Sequence, residues 1–201
     1  MLRFSYLMVV LFNQSIMRKI NRIVFHCTAT THKATVAGIK KYWKEVRGWK
    51  NPGCHILIQP NGIPVPLAHI SQVVNGAQGF NHDSIHIFYI GGVDSDGESV
   101  DNRTPEQIQT QIFLGTAFHR MFPKADICGH RDLPKVQKDC PCFDVRTDLV
   151  PYIIGGDLIP GEAPLVDHPF FKLLQRLKSW STEGLTPYEE KLISVFKEVT
   201  E

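Results

Sequence analysis

The run Ser84-Ile85-His86-Ile87-Phe88-Tyr89-Ile90-Gly91-Gly92 is almost unbroken in its hydrophobicity, carries two aromatics and stops at a glycine pair. A short apolar run of this kind predicts a strand buried on both faces. Such a strand sits inside a sheet with a layer above and a layer below. Ile20 to Cys27 upstream reads as a second strand, ending in the Thr/Ala-rich turn 28–31. Thr35 then caps a helix whose Val36, Ile39, Tyr42, Trp43 and Val46 fall on one stripe, with Lys40, Lys41, Lys44 and Arg47 opposite and Gly48 at its end. His55 to Gln59 and Ile63 to Pro66 form a hairpin around Pro60-Asn61-Gly62, where Asn-Gly suggests a tight primed turn and the prolines mark an edge strand.

Downstream, Thr104-Pro105-Glu106-Gln107 matches a capping box and opens a helix to about Phe122, stopped by Pro123. Asp126 to Gly129 is a short strand that delivers His130, and Asp144 caps a last short helix. The order β-α-β-β-β-α-β-α predicts an α/β fold: a single domain with a mixed central β-sheet flanked by helices on both faces, plus a short C-terminal helical extension. The domain is expected over residues 17–154. Gly155, Gly156, Pro160, Gly161 and Pro164 have linker composition, and 167–180 and 186–199 are amphipathic helix patterns within the extension 155–201.

The first 16 residues hold Arg3, an apolar run from Phe4 to Phe12 and then Asn13-Gln14-Ser15. This outlines a secretory signal but lacks a small-x-small cleavage site. Met17 leads straight into the first strand pattern, so residues 1–16 are expected to be a leader or a mis-assigned start. That run of nine residues, interrupted by Ser5, falls well short of the about 20 a membrane span needs.

The 201 residues carry 22 Lys and Arg against 20 Asp and Glu, a formal charge of +2, without the clustered cations that nucleic-acid binding requires. Five cysteines are an odd set, which argues against a disulfide framework. Cys27 and Cys128 lie in strand-like runs, while Cys140 and Cys142 flank Pro141 in a polar loop. His26, His130 and Cys140 therefore fall at loop ends on one edge of the expected sheet. Two imidazoles and a thiolate suit a catalytic zinc with its fourth position open to water.

Phe25-His26-Cys27-Thr28-Ala29-Thr30, Pro52-Gly53-Cys54-His55-Ile56-Leu57-Ile58, Gly79-Phe80-Asn81, Ser84-Ile85, Gly91-Gly92, Gly129-His130-Arg131-Asp132 and Lys138-Asp139-Cys140-Pro141-Cys142-Phe143-Asp144 resemble, in order, the zinc-dependent N-acetylmuramoyl-L-alanine amidases. That family includes phage lysozyme-type amidases and peptidoglycan recognition proteins. The resemblance spans about residues 19–153. It implies Zn2+ on His26, His130 and Cys140, with Cys142 the competing ligand, and Lys138 as the cation that stabilises the oxyanion. It also implies hydrolysis of the bond between N-acetylmuramic acid and L-alanine in peptidoglycan or a muropeptide. His32, Gly79, Phe80 and Asn81 are the expected substrate contacts, with Arg131 and Asp132 orienting the His130 loop.

Three positions depart from the family pattern. Many members place Tyr where this chain has Cys54, another branch places Glu where it has Phe88, and the family usually has Gly where it has His86. Strand alternation puts His86 and Phe88 on one face, so His86 is the expected general base, acting through water. The alternative is a catalytically impaired peptidoglycan-binding module of the same fold. The chain is expected to act as a monomer, made in the cytoplasm and working on the cell wall as a phage or prophage endolysin, with secretion through an N-terminal signal as the other route.

Overall fold

The computed structural model describes residues 18–155. The expected leader and the two C-terminal helix patterns lie outside the described residues. Strands β1 (Arg22–Cys27), β2 (Ile56–Ile58), β3 (Pro64–Pro66), β4 (Ser84–Tyr89) and β5 (Asp126–Gly129) form one sheet in the order β3-β2-β4-β1-β5. β4 pairs in parallel with both β1 and β2, β1 pairs in parallel with β5, and only β3 runs antiparallel. The mixed sheet is the one the sequence predicts, with Pro64 and Pro66 on its edge.

Alternation divides the strands between two layers. Ile23, Phe25, Ile85, Ile87, Tyr89, Ile56, Ile58 and Ile127 face helix α2 (Pro105–Met121) through Leu114 and Phe118, and face α3 (Val145–Asp148) and α4 (Val150–Gly155) through Val145, Leu149 and Ile153. Fully burying such side chains contributes roughly 1.5–3 kcal/mol each. The opposite face carries two smaller apolar clusters. One gathers Leu57, Cys54 and Ile90 under α1 (Val36–Lys41) and Trp43. The other gathers Val24 and Cys128 with Ala77, Leu133 and Phe80. His26 and His86 belong to this second face.

The expected caps form. The Thr104 hydroxyl accepts from Gln107 N–H while the Gln107 side chain accepts from Thr104 N–H, and Asp144 caps α3. Two local expectations are corrected. The first helix does not continue regularly to Gly48: after Lys41 it widens into one π turn, Tyr42–Val46, around Trp43, which is buried against Gly53. The hairpin is not a two-residue primed turn either. Gln59 and Ile63 pair across it and only Gly62, at φ +77°, is left-handed, as in a three-residue loop.

Candidate metal centre

Parallel pairing brings the histidines together. Phe25 stands opposite Gly129 on the neighbouring strand, so the next residues, His26 near the end of β1 and His130 just beyond β5, come side by side. Their rings lie 4.7 Å apart between centroids. After β5 the chain makes one 3-10 turn, His130–Asp132, fastened by Gly129 N–H donating to the Asp132 carboxylate at 2.7 Å. The following loop returns Cys140, whose carbonyl accepts from Arg131 N–H at 2.8 Å. The buried Tyr89 hydroxyl donates to Pro141 O at 2.9 Å and so ties that loop to the central strand.

The ligand atoms of His26, His130 and Cys140 all lie within 4.8 Å of one another. Cys140 Sγ is 3.8 Å from His26 Nδ1. Zinc bonds of about 2.3 Å to sulfur and 2.0–2.1 Å to nitrogen, at a tetrahedral angle, put those two atoms roughly 3.6 Å apart, so the donor set fits zinc. Cys27 N–H donates to Cys140 Sγ at 3.3 Å and so helps hold the sulfur in place beside the two rings.

Cys142 turns away. Its thiol donates to Gly92 O at 3.2 Å and lies 3.7 Å from Cys27 Sγ. Burial, followed by the neighbouring Cys27, pushes its thiol up to about 12.

The electrostatics keep the imidazoles neutral, the form a metal needs. Burial first, then His86, His130 and Lys138, holds His26 well below the usual histidine range. Burial and then Lys138 lower His130 to about 4. Lys138 itself is exposed, so its charge reaches both ring systems while its ammonium stays open to a ligand.

His86 occupies a different place from the one proton transfer through water requires. It is fully buried, and its Nδ1 meets His26 Nε2 at 2.9 Å, on the side away from Cys140. Phe88, half-buried, stacks on His26 with ring centroids 4.3 Å apart. Cys54 is fully buried under α1, and burial raises its thiol well above the ordinary range.

Among the expected substrate contacts, Gly79 is exposed at φ +87°. Phe80 packs into the cluster around Val24, with the Arg22 guanidinium 5.1 Å above its ring. The Asn81 carboxamide accepts from Ala77 N–H at 2.7 Å, closing the loop. His32 is half-buried, with Nε2 unpartnered among the described residues.

Two further residues carry structural weight: Arg18, which has no sequence signal, and His55, whose place in the expected second strand suggests structural support. Arg18 donates to the carbonyls of Ile70, Asn81, His82 and Ser84, binding two loops to the start of β4. His55 Nδ1 accepts from His86 N–H at 3.0 Å, which leaves its Nε2 proton for Gln72 O at 3.1 Å.

A family model described as N-acetylmuramoyl-L-alanine amidase matches residues 17–143. The endolysin of Escherichia phage T7 is 30% identical over 126 residues, covering 62% of this chain and 82% of that protein. The endolysin of Klebsiella phage KP32 is 30% identical over 129 residues, covering 63% and 83%. Among solved structures, the Ph2119 endolysin from a Thermus scotoductus bacteriophage superposes with a TM-score of 0.53 at 25% identity, over 63% of this chain and 82% of that one. The recognition protein PGRP-SA of Apis mellifera shares the fold, with a TM-score of 0.54 at 14% identity over 66% and 84%.

Proposed function

The chain belongs to the N-acetylmuramoyl-L-alanine amidase family, and on that premise we propose that it cuts the amide between N-acetylmuramic acid and L-alanine of peptidoglycan with zinc held by His26, His130 and Cys140. The observation that carries this proposal is the convergence of those three donors at the ends of β1 and β5, under the charge of Lys138. Zinc held there would supply Lewis-acid polarisation of the scissile carbonyl and a water ionisable near neutral pH.

The remaining work falls to side chains. The Lys138 ammonium attracts the oxyanion of the tetrahedral state more strongly than the neutral carbonyl before it, so the contact lowers the barrier. Tyr89 and Arg131 hold the Cys140 loop in register through Pro141 O and Cys140 O. In this reading His32, Gly79, Phe80 and Asn81 contact the glycan-peptide chain. Residues 17–154 are the catalytic unit, active as a monomer. The similarity to phage endolysins supports synthesis in the cytoplasm and a role in cell-wall lysis. No described helix is long and apolar enough to cross a membrane.

The test is digestion of purified muropeptides by the protein and by His130→Ala, read by mass spectrometry. Release of peptide beginning with free L-alanine by the parent protein alone is expected. Zinc bound without release would instead favour a peptidoglycan-binding module, the reading that Cys54 and Phe88 support by occupying the family's Tyr and Glu positions.

A further inference from the structure

His26 can offer only one nitrogen to a metal. Nδ1 faces Cys140, so its lone pair is free for coordination only when the ring proton sits on Nε2. Nε2 is buried and, among the described residues, meets a single partner, His86 Nδ1, at 2.9 Å. We propose that His86 is the positioning residue of the metal centre: by accepting the Nε2 proton of His26 it fixes that ring's tautomer and tilt and presents Nδ1 to zinc. This rests on the zinc reading of the preceding section.

Three features of the surroundings fit the task. His86 is itself held from behind, since its backbone N–H donates to His55 Nδ1 and the two rings lie nearly parallel, 12° apart between planes. With Nδ1 accepting from His26, the His86 proton falls on Nε2, a buried atom with no partner among the described residues. A buried donor without a partner is unfavourable, so hydrogen bonding at Nε2 does not account for the ring's place in the core. The loop above also leaves room for the ring by having no side chain there: a Cβ on Gly76 would stand 2.3 Å from His86 Cγ and 2.4 Å from Nδ1. Loss of such a partner to a metal-bound histidine typically weakens metal binding 10–100-fold.

The experiment measures zinc affinity of the full chain by competition with a chromophoric chelator, alongside urea unfolding of the metal-free protein. His86→Asn sets a carboxamide oxygen where Nδ1 was. His86→Gln sets its oxygen one bond further out, and His86→Leu removes the acceptor at similar volume. The parent protein and His86→Asn are expected to bind zinc within about threefold of each other, with His86→Gln and His86→Leu weaker by 10–100-fold. Losses in metal-free stability that do not follow this order separate packing from positioning.

Equal zinc affinity across all four proteins overturns the positioning role and leaves the zinc reading standing. A parent protein that binds no zinc overturns both. If His86→Leu does not fold, the contrast between Asn and Gln decides alone, because a merely structural histidine gives no reason for one amide length to be preferred.

Discussion

The row of buried histidines should make the metal-free domain acid-labile, and His55 sets a scale for the effect. Its ring is fully buried, and burial, with Arg18 nearby, lowers its pKa from 6.5 to about 4. Above pH 6.5 the ring is neutral in both folded and unfolded chains and contributes nothing to the pH dependence. Between pH 6.5 and about 4 only the unfolded chain takes up the proton, so stability falls as pH falls. At 1.36 kcal/mol per pH unit the total from this one residue is about 3 kcal/mol. His26, His86 and His130 are shifted in the same direction, so the acid limb of the parent protein is steeper still.

His55→Asn isolates the share of His55, because the carboxamide oxygen can accept the His86 N–H in place of Nδ1 and cannot titrate. Urea unfolding with chelator present at several pH values between 7.5 and 4 gives two stability profiles. The variant starts lower, having lost the bond to Gln72, but its profile should be shallower by roughly 1 kcal/mol per pH unit across the window. Parallel profiles would refute the argument that His55 is buried neutral.

Lys138→Met should cut muropeptide turnover about 10²–10³-fold while leaving the unfolding midpoint in place, because the side chain is exposed; turnover within threefold of the parent protein would remove the cation from the mechanism. Chelation should lower the thermal midpoint of the parent protein and leave that of Cys140→Ala unmoved, since a metal bound only to the folded state adds about 4 kcal/mol at a thousandfold excess over Kd. Thr104→Ala should cost about 1–2 kcal/mol in urea, because the hydroxyl both caps Gln107 N–H at 3.1 Å and donates to Pro60 O at 2.7 Å.

Much of the fold was legible because β4 cannot be placed anywhere but the middle of a sheet, and because glycine, proline and capping residues punctuate the chain at nearly every element boundary. His26 and His130 were legible for the same reason, since each stands at or just beyond the end of a run whose end is plain, whereas Cys140 was legible only through the Lys138-to-Asp144 block in its polar loop. The π turn around Trp43 was not. Amphipathic spacing holds equally for an α-helix widened by one residue, and what marks the site, burial of the indole against Gly53, comes from a segment ten residues away. Arg18 was invisible too, since four backbone carbonyls leave no side-chain pattern to match it against.

His86 shows where such reading stops. Alternation puts it on the face of His26, and from that one infers nearness but not which nitrogen meets which. Nearness alone suggested a base exchanging protons with water, and burial excludes water from the only side where His86 meets His26. The clue lay instead in Asn75-Gly76-Ala77, a loop with no chemical signature of its own. A strand histidine at 86 needs a glycine at 76, because any Cβ there would drive the ring off His26. Two positions that look unrelated along the chain are thus one decision in space: the sheet supplies the imidazole behind the metal ligand, and the loop that folds across it gives up a side chain to let it stand there.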